Sequence, residues 1–131
     1  MPLWNIKAYH LPGGTCPIQD WYRVQDVEVK AEFDATLRVL SATEDWTDTK
    51  MFQALTRSHA GLGEIRFMID KPIVRRFRPV GIWPPITGNE FILLLGCEKR
   101  MGVYIPPNAF TQALIHKQGW EAGRGEIHDY V

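Results

Sequence analysis

The sequence predicts an α+β fold made of an N-terminal strand, two or three helices, a three-stranded antiparallel meander and a short C-terminal helix. Three observations carry that expectation. Apolar residues recur at helical spacing through residues 17–41. After Ala60-Gly61-Leu62-Gly63 the period switches to the alternation of a strand. Turn-forming stretches, Lys71-Pro72 and Pro84 to Asn89, then separate three strand-like segments. A chain of 131 residues can bury one core but is short for two. We therefore read residues 1–131 as a single domain, with residues 119–131 as a C-terminal extension.

Taken in order, Trp4 to Tyr9 alternates as a short strand and Leu11-Pro12-Gly13-Gly14 ends it. Pro17 suits the first turn of a helix bearing Ile18, Trp21, Tyr22 and Gln25 on one face. Val29, Phe33, Leu37 and Leu40 form a second stripe, and the pattern leaves open whether residues 17–41 make one bent helix or two. Asp48 to Arg57 reads as a further short helix with Met51, Phe52 and Leu55 turned inward. From Glu64 to Asp70, Ile65, Phe67 and Ile69 share one face while Glu64, Arg66, Met68 and Asp70 share the wet one. Val74 to Trp83 is the next strand, with Arg76 and Arg78 on one face and Pro79 implying a bulge or an edge. Phe91 to Gly96 is continuously apolar, as in a central strand covered on both sides. Pro106 and Pro107 precede a helix with Phe110, Ala113 and Leu114 inward, for which Gly119 is a natural stop.

Composition narrows the function. Hydrophobic residues are 45% and charged residues 23%, ordinary for a globular protein. The longest apolar run, Phe91 to Leu95, is far too short to span a membrane, and no signal-like N-terminus is present. The expectation is a cytoplasmic protein with no membrane partner. Cys16 and Cys97 are distant in sequence and suit two free thiols in a reducing compartment. His10, His116 and His128 lack partners at metal-ligand spacing, so neither a metal nor another cofactor is expected. The net charge is zero, but residues 57–104 hold 8 Lys/Arg against 4 Asp/Glu, while residues 1–56 hold 5 against 8. A basic middle third permits a local anion site, with weaker long-range steering than a strongly cationic protein supplies.

Four segments in this order resemble the RelE/ParE toxin superfamily, with the phage-associated HigB-type branch nearest. They are Gly61-Leu62-Gly63-Glu64-Ile65-Arg66; Arg76-Phe77-Arg78-Pro79-Val80-Gly81; Phe91 to Arg100; and Pro106 with Ala113 in a closing helix. Pro17 to Tyr22 is similar to the same branch, so the resemblance covers about residues 4–118. It implies a RelE-like fold and the toxin half of a type II toxin–antitoxin system. The partner would be a small helix-turn-helix antitoxin. The implied activity is metal-independent, ribosome-dependent cleavage of mRNA; ParE-type members instead inhibit gyrase without catalysis. Residue by residue, the resemblance assigns Arg66, Arg78 and Tyr104 to catalysis, and Arg76, Lys99 and Arg100 to RNA binding. The neutral total charge and the extension after Gly119 depart from the usual ribosome-dependent toxin, which leaves open a toxin-like domain that only binds a partner.

The chemistry fits these residue types independently. Attack on phosphorus by the RNA's own 2′-hydroxyl needs charge stabilisation on the phosphorane, a proton acceptor and help for the leaving oxygen. Guanidinium groups serve the first task, since they stay charged and donate a planar fork to phosphate oxygens. Lys99, Tyr104 and His59 are the available proton-transfer groups, and no spacing selects among them. Each basic residue also has a plainer reading. Arg66 and Arg78 could form a solvated face with Glu64 or Asp70, and Arg75 could be exposed filler. Lys99 and Arg100 could close an apolar strand, Tyr104 could be core, and Trp83 could pack rather than stack on a base.

Overall fold

The computed structural model describes residues 3–130. It contains ten strands in two sheets and three α-helices. The expected RelE-like α+β fold, with one three-stranded meander, is therefore corrected to a mostly-sheet architecture.

Two helices begin the chain after β1 (Asn5–His10). Helix α1 (Pro17–Arg23) starts on Pro17. Helix α2 (Val27–Ser41) is separate because Asp26 restarts the chain as an N-cap, accepting from the Val29 amide at 3.1 Å. The α2 stripe of Val29, Phe33, Leu37 and Leu40 is wholly buried.

The expected helix over residues 48–57 is absent. A 3-10 turn at Trp46–Asp48 leads instead into β2 (Phe52–Ala54). Tertiary packing overrides the helical spacing there. Trp46 is fully buried, donates from its indole to the Leu40 carbonyl at 2.8 Å, and holds Phe52 in an aromatic cluster with Trp83 and Phe91. Trp83 also lies against Trp4 with ring centres 5.6 Å apart, so it packs rather than offering a platform for a base.

Each of the next three segments bends and contributes to both sheets, which turns the expected four strands into seven; β2, β9 and β10 bring the number to ten. The first divides at Arg66 into β3 (Leu62–Ile65) and β4 (Phe67–Ile69). The second divides at Arg78-Pro79 into β5 (Arg75–Phe77) and β6 (Val80–Ile82), because proline cannot donate to a ladder. The third divides at Gly96-Cys97 into β7 (Glu90–Leu95) and β8 (Glu98–Arg100). At Gly96 an added Cβ would lie 2.0 Å from the Trp21 ring of α1, so the chain must lack a side chain where that helix crosses it.

After β9 (Val103–Ile105) comes α3 (Ala109–Glu121), and β10 (Glu126–Asp129) ends the described chain. The larger sheet has the order β10-β1-β7-β6-β3-β2, with only β1 and β7 parallel. The smaller sheet is β4-β5-β8-β9, antiparallel throughout. Phe91 and Leu93 of β7 face the core under α1 and α2, whereas Ile92 and Leu94 face the core under α3. That accounts for the continuous apolar run. Gly119 does not stop α3; it is buried within the helix, where an added Cβ would sit 2.9 Å from the Tyr9 hydroxyl. The C-terminal extension is structural as well, since β10 pairs with β1 and Tyr130 packs on Phe33. Among the described residues no helix is long and apolar enough to cross a membrane, and Cys16 and Cys97 are buried and unpaired.

Candidate functional site

The register of the smaller sheet builds one row across all four strands. Met68 is opposite Arg76, Arg76 opposite Lys99, and Lys99 opposite Tyr104. Residues opposite one another share a face, so Arg76, Lys99 and Tyr104 stand side by side. Arg78 follows Arg76 by two residues, and Arg66 precedes Met68 by two, which places both at the end of this face where the sheets join. Arg100 is one residue out of step and takes the other face. There it pairs with Glu98, which also accepts from Arg75 at 2.9 Å. Burial opposes ionisation of Glu98, but the hydrogen bonds from Arg100 and Arg75 outweigh it and hold the carboxyl below its usual range. Arg75 reaches Asp26 at the start of α2 as well, so it ties sheet to helix and is not exposed filler.

At the junction of the sheets sits Glu64, with 0% of its side chain exposed. One carboxylate oxygen accepts from Arg66 Nε at 2.8 Å and lies 3.4 Å from Arg78 Nε; the other accepts from the Tyr104 hydroxyl at 2.8 Å. Alternation had put Glu64 on a wet face. The pairing of Glu64 with Arg66 and Arg78 was one of the sequence readings, but as a solvated face; the structure keeps the pairing and buries it beneath Tyr104. Arg78 is 12% exposed and donates from Nη1 to the Phe77 carbonyl at 2.9 Å. Burial depresses its pKa and the Glu64 charge works against that, while an arginine still stays protonated. For Tyr104, burial first and then the bond to Glu64 push the pKa well above the ordinary phenol value. Tyr104 thus donates to Glu64 as a neutral phenol and helps to position its carboxylate. Its ring contacts Phe110 at 4.4 Å and carries the Lys99 ammonium at 5.2 Å. Burial also pushes the Cys97 thiol up to about 12, which leaves it unreactive. His59 packs on Phe110 with ring centres 4.7 Å apart.

Beside this cluster a cleft of about 430 Å³ opens between the small sheet and α2. Lys50, Arg66, Arg76 and Arg78 supply its positive charge, Met51, Phe67 and Met68 its apolar lining, and Glu32 its one carboxylate. Among the described residues, neither Arg76 nor Lys99 has a carboxylate within ion-pair distance. Two like charges directly opposite across a ladder are destabilising, and an anionic ligand would remove that cost. Of the six residues singled out from sequence, the fold thus gathers Arg66, Arg76, Arg78, Lys99 and Tyr104 and sends Arg100 elsewhere. Glu32 and Lys50 join the site without having been singled out, and Glu64, read from sequence only as a partner for Arg66 and Arg78 on a solvated face, lies buried within it. No family model matches the chain, and comparison with curated proteins and with solved structures finds no match either.

Proposed function

We propose that this protein binds an RNA backbone along the Arg66, Arg76, Arg78 and Lys99 face and cleaves it without a metal. It acts as the toxin of a toxin–antitoxin pair, on mRNA at the ribosome. The observation that carries the reading is the unpaired Arg76 and Lys99 side by side next to the cleft, a destabilising arrangement that phosphate would relieve. The strand motifs similar to RelE/ParE toxins supply the toxin assignment. In the proposed reaction the 2′-oxygen attacks phosphorus, its proton passes to Glu32, and Arg66 and Arg78 hold the charge developing on the phosphorane oxygens. The P–O5′ bond breaks, the departing oxygen takes a proton from water, and the hydroxide left takes back the proton held on Glu32, which restores the carboxylate.

A second reading has its own support. Glu64 already engages Arg66 and Arg78, so part of the positive charge is spent internally, which suits a toxin-like domain that binds a partner without catalysis. Ribosome-dependent cleavage of a message carrying a single 2′-deoxy substitution at the cut site separates the two. Under the first reading the natural message is cut and the deoxy message is not, because the nucleophile is missing. Absence of cleavage of either message favours the second, and gyrase-linked DNA damage without RNA cleavage rejects both.

A further inference from the structure

A second cleft, of about 570 Å³, adjoins the first and shares Lys50 and Arg66 with it. Thr47, Thr49 and Gln53 complete its polar lining, and no carboxylate lines it. Gln53 lies exposed on β2, the outermost strand of the larger sheet, where one side of the backbone has no neighbouring strand. Outward N–H groups on such an edge are free to donate. The hollow on the other flank, near residues 69–75, is unlike it, because Asp26 and Glu28 offset Lys71 and Arg75 there and leave no net positive charge for a polyanion.

Resting on the RNA-binding reading above, we propose that these two clefts form one track for single-stranded RNA, with Lys50 and Arg66 gripping the phosphate between neighbouring nucleotides. One nucleotide lies in the first cleft against Met51 and Met68. The next passes over Thr49 and Gln53, so the strand leaves across β2 and not toward residues 69–75. A duplex does not fit this path, since its bases are not free to lie on the apolar floor of the first cleft.

The test uses 5′-labelled uridylates of one, two, three and six nucleotides, with equilibrium binding to the wild type, Gln53→Glu and Arg76→Glu. Cooperative thermal unfolding of each variant, with a midpoint no lower than that of the wild type, serves as the folding check. The track predicts about a tenfold gain in affinity between one and three nucleotides, the value of one added charge-assisted contact. Gln53→Glu places a carboxylate in the second cleft and abolishes that gain while leaving mononucleotide binding intact. Arg76→Glu weakens every length. Equal affinity for one and three nucleotides, or a gain that survives Gln53→Glu, overturns the track alone. Failure of the wild type to bind any uridylate overturns the RNA reading and the track together.

Discussion

Replacing Glu64 by glutamine tests the centre of the site, because the change keeps the shape and removes the charge. Arg78, only 12% exposed, would lose its one ionic partner, whereas Arg66, with 36% of its side chain exposed, can turn toward water. Removing one partner of a buried ion pair costs about 3 kcal/mol or more. The amide oxygen still accepts from Tyr104, so no further loss is expected there. Arg78→Met costs less, about 2 kcal/mol, because Glu64 keeps Arg66 and Tyr104 as partners. In the Glu64→Gln, Arg78→Met double variant no buried charge remains, and the loss stays at about 2 kcal/mol. The double variant therefore falls about 3 kcal/mol short of additivity. Urea unfolding of the four proteins, with unchanged m values, measures this. Single losses that add within about 0.5 kcal/mol would refute the idea that Glu64 holds Arg78 as a buried pair.

Three further outcomes follow from the packing and charges. Arg76→Thr should raise stability by about 0.5 kcal/mol in urea unfolding, because it removes the repulsion with Lys99 from a strand position that favours threonine. Gly96→Ala should cost about 2 kcal/mol, measured the same way, since its Cβ would collide with the Trp21 ring. Burial lowers the pKa of His116, which packs against Tyr9. Below about pH 6.5 the unfolded chain takes up a proton that the folded one resists, so stability falls as pH drops from about 7 toward 5. His116→Phe should flatten that slope in unfolding curves collected across the range.

Local patterns were legible where one interaction decides the structure. Pro17 marks a helix start, the α2 stripe follows its period, and the apolar run of β7 reflects burial on two faces, whereas the Asp26 cap that separates α1 from α2 was not read. What the sequence concealed depends on contacts distant along the chain. Pro79 announced a break in its strand, but the bends at Arg66 and Gly96, which likewise divide a long segment between two sheets, leave no mark in the alternation. Phe52 joins β2 because Trp46, Trp83 and Phe91 surround it. The candidate face was legible as residue types, but the separation of Lys99 from Arg100 rests on one step of register. Glu32 and Lys50 reach the cleft from α2 and the segment before β2, a proximity no local motif encodes.

The most direct measurement is the affinity of a short single-stranded RNA as a function of salt, for the wild type and the Arg76→Ala, Lys99→Ala double variant. Both residues are free of ion pairs among the described residues, so the variant should fold as the wild type does. If they contact phosphates, wild-type affinity falls steeply with salt and the double variant binds more weakly with a slope lower by roughly 1.4, about 0.7 for each lost contact to a single strand. Identical affinities and slopes for the two proteins would contradict the account, because RNA would then bind, if at all, somewhere other than this face.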